Sequence, residues 1–285
     1  MAQTELLAAG TEMGAVTLFV ENLERVRAFY QQGVGLEVLR DTTGTVVLGR
    51  GSIPILILEQ RKELARAAQG SAGLFHTAIL FDTEEALASS VYSIATKYPN
   101  LFTGSSDHFV SLAFYFDDPE GNGVELYWDF PREKWQNLTD KMTTAYLDPN
   151  LFLKTHLNES LAAAPLASAA KVGHVHLQVG TIPEALDFYT EKLGFELQLL
   201  YGKQALFVSA GGYHHHIGMN TWNSQGAGLR SPALGLGQLN ILVPSLDEVI
   251  ASNERLNHHG VVSEFDGKTL SLLDPWANKI QLGVG

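Results

Sequence analysis

Val20–Val38 reads VENLERVRAFYQQGVGLEV, and Val179–Leu197 reads VGTIPEALDFYTEKLGFEL. At a constant spacing of 159 residues, Val20, Phe29, Tyr30, Gly35 and Glu37 meet Val179, Phe188, Tyr189, Gly194 and Glu196. Chance supplies one or two such matches, but not a Phe-Tyr pair with its trailing Gly in register, and self-similarity of this kind marks a repeated unit of supersecondary structure. A second pair of stretches, FDDPEGNGVEL at Phe116–Leu126 and LLDPWANKIQL at Leu272–Leu282, matches at a spacing of 156. The chain therefore reads as two related halves, 12–130 and 171–285. The span 131–170 carries Pro131, Pro149, Pro165 and the Ala-rich LAAAPLASAA, and reads as a connection between them. Trp135 and Phe152 predict that this connection packs against something.

Each half divides again into a strand, a helix and further strands. Val16–Val20 is β-rich, Leu23–Tyr30 has the apolar spacing of a helix, and strands follow at Leu36–Leu39, Val46–Leu48 and Ile53–Leu58. The second unit has a strand at Thr77–Phe81, a helix over Glu84–Lys97, and strands near Val110–Phe116 and Gly123–Tyr127. The third has a strand at Val175–Val179, a helix over Pro183–Leu193 with Pro in its first turn, and strands at 195–201, 204–209 and 214–219. The fourth has a strand at Leu239–Val243, a helix over Leu246–Leu256, and strands at 269–273 and 279–283.

Composition sets limits on function. With 45% apolar and 18% charged residues the chain is globular in type. Its formal charge of -12 argues against nucleic acid and anionic membrane as partners, since both repel an acidic surface. There is no cysteine, so any metal must sit on His, Asp or Glu. Met1–Gly10 lacks a basic, then apolar, secretory pattern, and no apolar run reaches membrane-spanning length, which predicts a cytoplasmic protein. P-loop, GxSxG and HExxH patterns do not occur.

GLFHTAIL (73–80), FDDPEGNGVELYW (116–128), GHVHLQV (173–179) and SAGGYHHHIGMN (209–220) resemble the vicinal-oxygen-chelate superfamily, which includes glyoxalase I and the type I extradiol dioxygenases. The chain is most similar to two-domain catechol 2,3-dioxygenase-like proteins. The resemblance implies an α+β fold of four βαβββ modules, forming two glyoxalase/dioxygenase-like domains with cupped mixed sheets. It also implies metal ligands on the first strand of a module (His) and on the last strand of its partner (Glu).

An oxygen-activating Fe(II) site needs two imidazoles and one carboxylate on one face of the metal. At the family's positions, module one has Ala15 where module three has His174, module two has His76 where module four has Gln238, and module two has Glu125 where module four has Gln281. Pairing module two with module three completes a triad of His76, Glu125 and His174. Pairing module one with module two leaves Glu59, His76 and Glu125, which resembles a glyoxalase site short of one ligand.

By the same resemblance His215 aligns with the acid–base histidine, and Tyr115, ten residues before Glu125, with the tyrosine that hydrogen-bonds the substrate oxygen. Read as a strand, 214–216 puts His215 on one face and His214 and His216 on the other. His176 shares a strand face with His174 and, with His108, is a candidate to line the substrate pocket, while His156, His258 and His259 read as surface. The implied activity is extradiol cleavage of a catechol- or hydroquinone-like ring, with Fe(II), Mn(II) or another divalent metal as cofactor and dioxygen as co-substrate. A glyoxalase-like lyase or isomerase and a non-catalytic protein that sequesters a small molecule stay open as alternatives. The resemblance implies a small aromatic diol as partner, and self-association into a homo-oligomer is left open.

Overall fold

The computed structural model describes residues 6–136, 142–165 and 167–285; 1–5, within the N-terminal stretch read above, and 137–141 and 166, within the connection, lie outside the described residues. After a short strand β1 (Glu12–Met13), the first module runs β2 (Val16–Val20), α1 (Leu23–Ala28), β3 (Glu37–Thr42), β4 (Thr45–Arg50) and β5 (Ile53–Gln60). The second runs β6 (Gly73–Phe81), α2 (Glu84–Lys97), β7 (Phe102–Asp107), β8 (Ser111–Asp117) and β9 (Gly123–Asp129). The connection holds α3 (Arg132–Trp135), β10 (Ala145–Tyr146), α4 (Pro149–His156) and α5 (Glu159–Ala163). The third module is β11 (Ala170–Gln178), α6 (Ile182–Leu186), β12 (Glu196–Tyr201), β13 (Ala205–Ser209) and β14 (Ile217–Asn220). The fourth is β15 (Gly235–Val243), α7 (Leu246–His258), β16 (Ser263–Phe265), β17 (Leu270–Leu273) and β18 (Lys279–Val284).

The local sequence explains the module. Each module helix starts on a side chain that accepts from its first turn: Asn22, Thr83, Thr181 and Ser245 take the backbone N–H of Arg25, Ala86, Glu184 and Glu248. The helix carries the chain back across the sheet, so the opening strand can pair parallel with the closing one, as β6 does with β9, β11 with β14 and β15 with β18. The pairs β3–β4, β4–β5, β7–β8, β8–β9, β12–β13, β13–β14, β16–β17 and β17–β18 are antiparallel. Opening and closing strands thus become neighbours, which is what gathers side chains far apart in sequence.

Two strands escape a reading by hydrophobic pattern. FTGSSD in β7 and SEF in β16 carry too few apolar residues, and both are strands because they pair with β8 and β17. The helix expected over Leu23–Tyr30 narrows to α1 and then widens into a π-turn at Phe29–Val34, and the third module repeats this at Asp187–Lys192.

The described residues form two compact units, one within Thr17–Leu64 and His76–Gly173, the other within 6–16, Ala65–Phe75 and His174–Gly285. Within the first, the Tyr30 hydroxyl points at Asp118 Oδ2, 3.4 Å away. Glu120, two residues on, accepts the N–H groups of Glu21 and Asn22 at the start of α1. In the connection, the Trp135 indole donates to the Phe130 carbonyl and the Phe152 ring packs 4.8 Å from Phe114. Within the second unit, Tyr189 donates to Asp274 Oδ2 at 2.9 Å, and Asp274 also accepts from Trp276 and Asn278. The repeated Phe-Tyr and Asp-Pro segments are therefore two ends of one buried lock, made once per half.

Burial, reinforced by the neighbouring aspartate, holds the Tyr30 and Tyr189 hydroxyls well above the usual phenol range. In the unfolded chain these tyrosines ionise near pH 10 while the folded ones keep their protons, so folding stability is complete below about pH 10 and falls as pH rises beyond it. The slope is up to about 1.4 kcal/mol per pH unit for each such tyrosine. Urea unfolding at several pH values between about 9 and 11 is expected to show this decline, with a shallower slope in Tyr189→Phe; equal slopes would refute it.

The strands form two mixed sheets, in the orders β16-β17-β18-β15-β2-β5-β4-β3, with β1 on β15, and β10-β7-β8-β9-β6-β11-β14-β13-β12. Apolar side chains of the strands and helices fill the core, among them Leu18, Phe29, Leu48, Phe81, Phe116, Phe195 and Trp276. Among the described residues no helix is long and apolar enough to cross a membrane.

Candidate metal centre

His76 on β6 and Glu125 on β9 are both buried, with His76 Nε2 2.9 Å from Glu125 Oε2. Their meeting follows from register. Ala78 pairs with Glu125, and His76 lies two residues before Ala78, so strand alternation turns its side chain to the face of Ala78. His174 on β11 is likewise buried. Each of His76, Glu125 and His174 offers a ligand atom, and these atoms lie within 4.8 Å of one another. Among the described residues this is the one His/Cys/Asp/Glu group of that kind. A buried carboxylate is costly unless positive charge or donors surround it, and a divalent cation would meet that need.

Tyr115 is the direct cross-strand partner of Glu125 and so projects on the same side of the sheet. Its ring centroid is 5.7 Å from that of His76. His108 Nδ1 lies 2.7 Å from the Thr143 carbonyl oxygen, which can only accept, so that nitrogen carries a proton. His108 Nε2 is 2.6 Å from the Tyr115 hydroxyl. Burial, then the charge of Glu125, raises Tyr115 well above the ordinary phenol value, so the hydroxyl stays protonated at neutral pH. Its single proton faces two acceptors, His108 Nε2 and the Glu125 carboxylate.

The histidine run departs from expectation. His214, His215 and His216 precede β14, which begins only at Ile217, so strand alternation does not govern them. Gly211 and Gly212, both at positive φ, bend the chain just before the run. All three histidines are buried. The His215 and His214 rings lie 4.1 and 6.2 Å from that of His174, and the two Nδ1 atoms are 2.8 Å apart. His214 therefore does not face away from His215; it touches it. His216 takes the third direction, its Nδ1 accepting from the Ala210 N–H at 3.1 Å. His176 lies in β11 with its Nε2 3.0 Å from Asn220 Nδ2. His258 and His259 are exposed at the end of α7, and His156 sits 3.7 Å from Glu84.

The glyoxalase/bleomycin resistance protein/dioxygenase superfamily model matches residues 12–126 and 171–281. The chain belongs to this superfamily. It is 35% identical over 272 residues to a protein of Bacillus subtilis named catechol-2,3-dioxygenase, spanning 93% of this chain and 94% of that one. Among solved structures, glyoxalase I from Zea mays shares the fold with a TM-score of 0.60 at 17% identity, over 96% of this chain and 92% of that one. The cppA protein of Streptococcus pneumoniae shares it with a TM-score of 0.62 at 13% identity, over 99% of this chain and 100% of that one.

Within this superfamily member, the repeat carries a second set of positions equivalent to the triad, and it is filled with neutral groups. Gln238 Nε2 donates to Gln281 Oε1 and to Asn240 Oδ1, each at 2.7 Å, and Asn240 Nδ2 donates to the Ala15 carbonyl. Mutually satisfied amides need no counter-charge. The network was not evident from sequence, which shows only that ligands are missing there. Metal titration of the chain is expected to saturate at one equivalent. A second tight equivalent that disappears in Gln281→Ala would overturn this.

Proposed function

We propose that the chain is a metal-dependent extradiol dioxygenase that cleaves a catechol- or hydroquinone-like ring, with Fe(II) held by His76, Glu125 and His174. The observation that carries the reading is the donor set: two imidazoles and one carboxylate, all buried, with ligand atoms within 4.8 Å. In a chain without cysteine this set suits Fe(II) or Mn(II) better than softer, thiolate-seeking ions. Bound there, such an ion would supply Lewis-acid and oxygen-activating chemistry to a diol substrate. The 35% identity to a protein named catechol-2,3-dioxygenase supports the same assignment. The reading takes the partner to be a small aromatic diol met in the cytoplasm.

The chain's own residues have distinct tasks in this scheme. Tyr115, kept protonated by burial and by Glu125 and with that proton turned to His108 Nε2, accepts a hydrogen bond from a substrate hydroxyl and orients it. His108 steadies that hydroxyl from behind. His215, in ring contact with His174, receives a phenol proton and returns it later; with Nδ1 tied to His214, the transfer is assigned to Nε2. Burial of His214 and His215 beside His174 keeps bulk water from the reacting ring.

The test is anaerobic reconstitution with Fe(II), followed by oxygen uptake with a panel of catechols and hydroquinones. One dioxygen consumed per ring opened is expected. No uptake from metal-loaded protein with any of them would sink the proposal.

A further inference from the structure

A continuous run of rings leads away from His174. The His215 ring lies 4.1 Å from His174, Phe207 lies 5.0 Å from His215, and His176 lies 5.7 Å from Phe207. Beyond it, Phe75 and Trp222 sit 5.1 and 5.7 Å from His176 and 5.4 Å from each other. His176 is the hub, and two features hold it. Its strand partner is Gly218, where an added Cβ would lie 3.0 Å from His176 Nδ1, so the imidazole lies flat on bare backbone. Asn220, fully buried, accepts the Trp222 backbone N–H through Oδ1 and so turns its Nδ2 to His176 Nε2. The same amide thus fixes both the imidazole and the start of the Trp222 segment. Trp222 nevertheless keeps 47% of its surface exposed, unusual for an indole seated on two other rings. Arg230, the cation beside Gly73 two residues from Phe75, has its guanidinium tied to Asn278 Oδ1 at 3.0 Å and to the Leu236 carbonyl at 2.8 Å.

We infer that Phe75, His176, Phe207 and Trp222 form the wall that receives the ring substituent of the substrate, and that this wall selects a catechol with a neutral, apolar substituent over one bearing a carboxylate. The inference rests on the dioxygenase reading above. His176 follows His174 by two residues, about 7 Å along the strand, so a ring held at His174 brings its far edge to this wall. The faces of these rings carry partial negative charge, and the N–H groups of the imidazole and indole lie at the ring edges, so a carboxylate pressed against the faces loses its hydration without replacement. A methyl or larger alkyl group instead covers the open indole of Trp222.

The test compares 4-methylcatechol with 3,4-dihydroxybenzoate, using the Fe(II)-loaded full chain. Anaerobic equilibrium dialysis reads binding, and oxygen uptake reads turnover. The wild type is expected to bind 4-methylcatechol at least about tenfold more tightly. Trp222→Ala is expected to weaken 4-methylcatechol by about tenfold and to change 3,4-dihydroxybenzoate by less than about twofold, with metal content unchanged. Trp222→Arg is expected to reverse the preference. Equal or tighter binding of the carboxylated ring by the wild type, or an unchanged preference in both variants, overturns the inference. Selective, Trp222-dependent binding without oxygen uptake overturns the dioxygenase reading and leaves the wall standing. Oxygen uptake with a selectivity indifferent to Trp222 does the reverse, and failure of both catechols to bind overturns both.

Discussion

His174→Ala is expected to leave the chain folded but nearly free of Fe(II), and His76→Ala and Glu125→Ala are expected to do the same. The three side chains are buried and offer ligand atoms within 4.8 Å of one another, so each removes one of only three donors. Loss of a group that merely supports a ligand costs about 10–100-fold in metal affinity, so loss of a ligand itself should exceed about 100-fold. The measurement is metal content after anaerobic loading and desalting, with circular dichroism as the check on folding. His258→Ala, at an exposed helix end, serves as the control and should retain one equivalent. The informative contrast is with Glu59. If Glu59→Gln loses the metal while His174→Ala keeps it, the site belongs to the first two modules and the glyoxalase-like alternative is correct.

His215→Phe should bind Fe(II) and catechol close to normally yet turn over about 100- to 10,000-fold more slowly, the usual size of a lost general acid–base contribution. The split between kcat and KM is what separates this role from a structural one, because a collapsed pocket raises KM and loses metal as well. His214→Phe removes the side chain whose Nδ1 lies 2.8 Å from His215 Nδ1, so it should lower kcat too, by less, through misorientation of the His215 ring. A fully active His215→Phe would remove the acid–base assignment. Wild-type protein that holds iron and catechol tightly without turnover would point to sequestration.

Much of the fold was legible in the chain itself. The repeated Phe-Tyr segment, the repeated Asp-Pro turn and the alternation of strand patterns with helical ones specify a module and its four copies, because period and turn chemistry act over a few residues. The tyrosine–aspartate locks explain why those segments recur together. The candidate roles of His76, Glu125, His174 and Tyr115 came instead from the resemblance of their segments to the family, and the structure sets Tyr115 directly across from Glu125. Local pattern misled at 214–216, where Gly211 and Gly212 bend the chain and a run that reads as strand is not one. It was silent on Phe75, Phe207 and Trp222, which look like ordinary core or surface aromatics until their strands are side by side. It was silent also on β7 and β16, whose polar sequences become strands only through their partners.

Residue types and their periodicity thus determined the alternation of strands with a helix and its recurrence along the chain, while the resemblance of the segments to the family implied which side chains each module could contribute to a metal. Which modules share a sheet was decided by pairing between strands distant in sequence, as in the order β9-β6-β11 that carries Glu125, His76 and His174. Every exposed strand edge offers the same backbone donors and acceptors. Edge chemistry is therefore nearly the same for every module, and only the fit of whole sheets and their buried side chains selects one partner over another.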